Sequence, residues 1–175
     1  MTIDLKKYIA AYPDFPEEGI LFRDISPLIG NGDAYKQAID QIAEFAKPLT
    51  PDLIVGPESR GFIVGSPLAY ALNIGFVAAR KGHKLPGESV NESYELEYGQ
   101  NSLEIGIESV KVGQRVLIVD DLLATGGTIN ATRNIVEKLG GIVVGVAFLV
   151  ELEELKGREK IMENGDVPFL ALIEY

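Results

Sequence analysis

Residues 115–128 read RVLIVDDLLATGGT. An apolar run of strand character ends in two adjacent acids, Asp120 and Asp121. A turn of small residues, Ala124 to Thr128, then opens into GTINATRNIVEKLG (127–140), whose spacing predicts a helix. Buried strand, turn and helix form the repeating unit of a parallel sheet covered on both faces. Two like charges at the end of such a strand repel, and desolvation raises the cost, so the pair calls for a partner that uses it.

Working outward, the same alternation continues in both directions. Ala34, Ala38, Ile42 and Phe45 fall at helical spacing in GDAYKQAIDQIAEFAK (32–47), and DLIVG (52–56) reads as a strand. GPESRGF turns into a second helix over 61–72, and IGFVAAR (74–80) is the next strand. Beyond 127–140, IVVGVAFLVEL (142–152) and VPFLALIEY (167–175) supply two more strands. YELEYG (94–99) and SLEIGIE (102–108) alternate like a two-stranded excursion with a polar, flexible tip. Residues 2–10 are expected to form a short helix capped by Thr2, and YPDFPEEGILFRDISPLI (12–29), broken by prolines, an ordered loop. The expected fold is α/β, a mostly parallel doubly wound sheet in one domain spanning 1–175. Segment 1–30 and adjoining elements would form a small hood, and about 82–105 a flexible β-hairpin loop.

The bulk numbers narrow the function. Twenty-six acids against 16 bases give a formal charge of -10, which argues against general attraction to nucleic acid or to an anionic membrane. The chain has no cysteine, hence no disulfide framework or thiolate metal site, and its first twenty residues lack the pattern of a signal peptide. A soluble, cytoplasmic protein is expected, holding any anionic ligand through a local site.

The ATGGT turn (124–128) is suited to be that site. Unpaired amides at a helix start, a favourable dipole end and glycines that permit close approach together suit a phosphate, with Thr125 and Thr128 adding hydroxyls. The turn has neither the spacing nor the lysine of a Walker loop, and the chain contains no GxGxxG. Carboxylates beside a phosphate are repelled unless they meet donors, and ribose hydroxyls are donors. A sugar phosphate, with its phosphate in the turn and its diol on the acids, satisfies both halves. The competing reading makes Thr125 an ordinary helix cap.

These residues have the form of the phosphoribosyltransferase signature. FPEEGILFRDISPL (15–28), VGPESRGF (55–62), RKGHKLPGE (80–88), YELEYG (94–99), VDDLLATGGT (119–128) and ELEELKGR (151–158) resemble, in order and spacing, segments of the adenine phosphoribosyltransferase family. The resemblance implies a transfer of the phosphoribosyl group of phosphoribosyl pyrophosphate to N9 of adenine, giving AMP and pyrophosphate. Asp120 and Asp121 would hold the ribose hydroxyls, and Ala124, Thr125, Gly126, Gly127 and Thr128 the 5′-phosphate. Glu58, Ser59 and Arg60, with Arg80, Lys81 and Lys84, would line the pyrophosphate end. Phe22 would stack on adenine while backbone groups of Leu21 and Arg23 read its edge. Glu97 would handle a proton near N7, and Tyr98 would help close the loop. Mg2+ would be carried mainly by substrate oxygens and water, and a homodimer is expected.

Other readings stand beside these. Arg60 could pair with Glu58, Lys81 and Lys84 could belong to a solvated loop, and Phe15 and Phe22 could be plain core aromatics. ELEELKGREK (151–160) reads as an amphipathic surface segment. His83 stands where the family usually has glycine, which opens a question about loop geometry, and no role is assigned to it. Two functional rivals remain: a 6-oxopurine or xanthine phosphoribosyltransferase, and a non-catalytic regulator that binds phosphoribosyl pyrophosphate. The 6-oxopurine enzymes usually carry aspartate where this chain has Ala124, and the chain shows no added nucleic-acid-binding segment.

Overall fold

A computed structural model describes residues 2–95 and 100–175. In chain order the elements are β1 (Ala10–Pro13), β2 (Leu21–Asp24), α1 (Ser26–Gly30), α2 (Gly32–Ala46), β3 (Leu53–Pro57), α3 (Arg60–Leu72) and β4 (Gly75–Lys81). They are followed by β5 (Ser89–Glu95), β6 (Gln100–Gly106), β7 (Arg115–Leu123), α4 (Gly127–Lys138), β8 (Ile142–Glu151), α5 (Gly157–Met162) and β9 (Phe169–Glu174). Among the described residues, seven strands form one sheet in the order β5-β6-β4-β3-β7-β8-β9. The strands from β4 to β9 run parallel, whereas β6 joins β4 antiparallel only through Arg80 and Lys81 and then pairs with β5. No helix among the described residues is long and apolar enough to cross a membrane.

The central strand shows why its sequence is continuously apolar. Leu117 and Val119 pack with Ile42 of α2 and Val64 and Leu68 of α3, while Val116 and Ile118 pack with Ile129, Ile135 and Val136 of α4. Each such fully buried side chain contributes about 1.5–3 kcal/mol. A one-residue slip of β7 would exchange its two buried faces, so this packing also fixes where Asp120 and Asp121 emerge. The ladder to β8 runs two residues beyond the expected strand end, to Leu123 opposite Glu151. The acids therefore lie within the strand, and its pleat sends successive side chains to opposite faces.

The N-terminal expectation is corrected. In place of a helix over 2–10 capped by Thr2, a single 3-10 turn spans Leu5–Tyr8, capped by Asp4, which accepts the Lys6 N–H at 3.2 Å. Only Leu5 and Ile9 of this stretch bury fully, too few to hold a longer helix. The expected loop over 12–29 is largely ordered as well: β1 and β2 form a separate antiparallel pair, with Ala10 opposite Asp24 and Pro13 opposite Leu21. Its turn is closed by Gly19, at φ +87° and donating its N–H to Asp14 at 2.8 Å. Asp24 then accepts the Ser26 N–H at 2.9 Å and starts α1.

Candidate active site

The turn after β7 leads directly into α4. Gly126 occupies the cap position at φ +82°, and no side chain caps the helix. This removes the reading of Thr125 as an ordinary cap and leaves the first-turn amides without a side-chain acceptor. Asp120, Leu122, Leu123, Ala124, Thr125, Gly126, Gly127, Thr128 and Ile129 line a cavity of about 150 Å³, room for a phosphate group. A Cβ on Gly126 would stand 2.8 Å from the carbonyl oxygen of Gly157 in α5, so glycine is required there for space as well as for φ.

Asp120 faces this cavity, whereas Asp121 faces α3. Arg60 Nε lies 3.0 Å from Asp121 Oδ2, and the Asp121 carboxylate is almost wholly buried. A Cβ on Gly61 would stand 3.2 Å from Asp120 Oδ1, so the start of α3 closes over both acids. Burial, and then the neighbouring charge of Asp121, push the Asp120 carboxyl well above its ordinary value. Burial also raises Asp121, with Arg60 opposing the shift. Both carboxyls thus resist ionisation.

The turn between β3 and α3 carries Glu58 and Ser59, joined by a cis peptide bond. Arg60 does not pair with Glu58. Glu58 instead takes Arg80 Nε at 2.9 Å, the Lys81 backbone N–H at 3.0 Å, and the Lys84 ammonium. The Lys84 bond, against the opposing effect of burial, and then Arg80 hold the Glu58 carboxyl down at about 2. Residues distant in sequence thus form one basic edge around a single carboxylate.

The β1–β2 pair brings aromatic rings to the same end of the sheet. Phe22 is half-buried, Phe15 meets it edge-on at 5.2 Å between ring centres, and the Arg60 guanidinium lies 6.0 Å from the Phe22 ring. Tyr12, Pro13, Asp14, Phe15, Phe22 and Asp24 line a cleft of about 490 Å³. Phe15 is 53 % exposed, which rules it out as a core aromatic. The Arg23 side chain stacks on Tyr175 at 3.7 Å, and Leu21 is exposed; neither lines this cleft. Glu97 and Tyr98 lie outside the described residues.

Sequence reasoning missed how closely the 151–160 segment meets the phosphate turn. It is not simply a surface helix: after a 3-10 turn at Glu153–Leu155, Gly157 packs so tightly that a Cβ there would stand 2.2 Å from the Ala124 carbonyl oxygen. Buried Glu151, bonded to Arg158, anchors the segment. The signal was present in the lone glycine of LKGR, a residue that marks close backbone approach.

One end of the mostly parallel sheet thus carries an acid pair, an uncapped phosphate-sized turn and a basic edge, and comparison with known proteins gives the class. Residues 29–167 match the phosphoribosyl transferase domain, and the chain belongs to that family. An adenine phosphoribosyltransferase of Leuconostoc citreum is 70% identical over 177 residues, with both chains covered completely. The crystal structure of the enzyme so named from Thermoanaerobacter pseudethanolicus superposes with a TM-score of 0.93 at 48% identity, covering 98% of each chain. That from Saccharomyces cerevisiae, complexed with an imino-altritol bisphosphate and adenine, gives 0.89 at 42% identity, covering 97% of this chain and 96% of that one. Within the family, the chain is a member of the adenine phosphoribosyltransferases.

Proposed function

We propose that this site transfers the phosphoribosyl group of phosphoribosyl pyrophosphate to N9 of adenine, releasing AMP and pyrophosphate. The C1′ to pyrophosphate-oxygen bond breaks as the unprotonated N9 forms its bond to C1′, and the base gives up the proton on N7 to Glu97. The observation that carries the reading is the uncapped turn beside an acid pair, joined through Arg60 to the Phe22 ring. One continuous surface thereby offers an anion site, a diol site and a stacking face.

The 5′-phosphate is assigned to Ala124–Thr128 and the ribose hydroxyls to Asp120 and Asp121. Arg80, Lys81 and Lys84, gathered by Glu58, receive the pyrophosphate together with Ser59 and Arg60 at the start of α3, and guanidinium and ammonium groups stabilise the charge that develops on departure. Adenine stacks on Phe22, and backbone groups of Leu21 and Arg23 read its edge. A backbone carbonyl accepting from the 6-amino group would reject a 6-oxo purine, which presents an acceptor there. Glu97 is assigned the proton near N7, and Tyr98 the closure over the reacting carbon. Both of these roles rest on sequence resemblance alone.

No group of three or more histidines, cysteines, aspartates or glutamates among the described residues could hold a metal ion. Mg2+ is assigned to substrate oxygens and water, which it keeps readily, with Asp120, lining the cavity beside the turn, next to the sugar hydroxyls of that complex. When bound, the metal neutralises charge on the pyrophosphate. The reading also assigns the enzyme to the cytoplasm and to a homodimer, for which sedimentation of the purified protein is the test.

Product formation from phosphoribosyl pyrophosphate with adenine, hypoxanthine, guanine and xanthine offered separately tests the reading. AMP from adenine alone is expected. Turnover of a 6-oxo purine instead would leave the phosphate assignments standing and remove those made for the base.

A further inference from the structure

Glu104 is a glutamate in the middle of LEI, and it is only 7% exposed between two fully buried neighbours, Leu103 and Ile105. A buried carboxylate is expensive unless donors satisfy it. Here the donors come from one place: Glu104 Oε1 accepts the backbone N–H of Lys84 at 2.7 Å and of Leu85 at 2.9 Å, and Oε2 accepts from the Ser89 hydroxyl at 3.2 Å. Burial acts to raise the carboxyl, but the bonds from Leu85, Lys84 and Ser89 more than offset it, and the group sits below its ordinary value. It is a charged hub that gathers the turn between β4 and β5.

That turn needs gathering. His83 sits at φ +67°, in the left-handed region where a side chain is unfavourable and glycine is at ease. The residue before it, Gly82, donates its N–H to the Ser102 carbonyl at 3.1 Å, and a Cβ there would stand 2.3 Å from the Ser102 hydroxyl. The turn is thus pinned to β6 at both ends around one unfavourable residue. From this frame Lys84 extends its ammonium to Glu58, beside Arg80.

We propose that Glu104 is a positioning residue for the pyrophosphate end of the substrate: by accepting the backbone N–H groups of Lys84 and Leu85 it holds the 82–85 turn, with His83 left-handed, so that Lys84 is aimed at the basic edge around Glu58. The inference rests on the reading that this edge receives pyrophosphate. It assigns Glu104 a role through reach rather than through charge.

Reach and charge separate in two mild variants. Glu104→Asp keeps the charge but withdraws the carboxylate by one methylene, losing the two amides; Glu104→Gln keeps the reach and removes the charge. For the full chain, KM for phosphoribosyl pyrophosphate is expected to rise about tenfold in Glu104→Asp and less than about threefold in Glu104→Gln, with KM for adenine unchanged in both. Adding His83→Gly to Glu104→Asp should recover most of the loss, because glycine forms the turn unaided. A larger effect from glutamine than from aspartate, an equal rise in the adenine KM, or no recovery from glycine would each overturn the proposal. Lys84→Met, measured alongside, separates the two levels. A raised KM there with a silent Glu104→Asp refutes the inference alone, whereas an unchanged KM for Lys84→Met removes the pyrophosphate reading beneath it.

Discussion

Arg60 Nε stands 3.0 Å from Asp121 Oδ2, yet that buried oxygen receives no hydrogen bond from any described residue. The pair is held by charge without alignment, and the Arg60 side chain is 44% exposed with its guanidinium 6.0 Å from the Phe22 ring. A single guanidinium thereby stands between the acid pair and the Phe22 ring. Arg60→Met should lower kcat/KM for both substrates by about a hundredfold or more, since it removes a donor to developing charge and strands a buried carboxylate. A selective rise in one KM would reduce Arg60 to a contact with that substrate.

The acid pair predicts a trade between stability and binding. Asp120 has a folded pKa well above its ordinary 3.8, so between those values the folded state binds more protons than the unfolded one, and stability falls as pH rises. Ionising the pair therefore opposes folding. Asp120→Asn should raise the thermal midpoint of the ligand-free protein by a few degrees, about 1 kcal/mol corresponding to roughly 2–4 °C in a domain of this size. The same variant should weaken phosphoribosyl pyrophosphate binding at least about tenfold. A lowered midpoint would show that the pair is structural.

Phe22 is predicted to act on the base alone. Stacking of a base on an aromatic face is worth about 1–3 kcal/mol, so Phe22→Leu should raise KM for adenine about tenfold and leave that for phosphoribosyl pyrophosphate nearly unchanged. The edge contact with Phe15, at 5.2 Å, makes Phe15→Leu the milder variant with the same sign. Steady-state kinetics with each substrate varied in turn would decide, and equal effects on both would remove the stacking assignment.

Much of this was legible in the chain because the informative signals are local. β7 reads as a strand because both of its faces are buried, and the turn after it because small residues there have no packing alternative. The hairpin of β1 and β2 was hidden because its prolines read as breakers, although Pro13 sits harmlessly at a strand end opposite Leu21. The contacts of Glu58 were hidden for a different reason. Nothing in ESRG distinguishes an ion pair with Arg60, two residues away, from the observed partners Arg80 and Lys84, which only the parallel pairing of β3 with β4 brings near. Likewise Gly157 and Glu104 act through approach and burial, which a sequence records only as one residue out of pattern.

Gly157 supports the phosphate turn from behind. An added methyl would meet the Ala124 carbonyl at 2.2 Å and Leu123 at 2.8 Å, so Gly157→Ala must push α5 and the turn apart. Such overpacking costs about 1–3 kcal/mol, and here the displaced backbone is the one assigned to the 5′-phosphate. A fall in thermal midpoint is expected together with a rise in KM for phosphoribosyl pyrophosphate. A midpoint change with unaltered KM would mean that the turn holds its shape without α5.

Glu58 makes the acid limb of stability testable. Its carboxyl lies at about 2 in the folded protein, against an ordinary 4.5, chiefly through the bond from Lys84 opposed by burial, with Arg80 and the Lys81 amide adding to the depression. Between those values the unfolded chain binds more protons than the folded one, so stability rises with pH across the window. The contribution is present in full above about 4.5 and is lost as pH falls toward 2. Glu58→Gln removes the titrating group, and groups common to both proteins cancel when their midpoints are subtracted. The difference in thermal midpoint between the two should be largest near pH 7 and shrink between pH 4.5 and the lowest pH at which both fold. Because Lys84 is partly exposed, added salt should also reduce it. A difference that stays constant from pH 7 to pH 3 would show that Glu58 is held by packing, and that Arg80 and Lys84 are not bound to it as charges awaiting exchange for pyrophosphate.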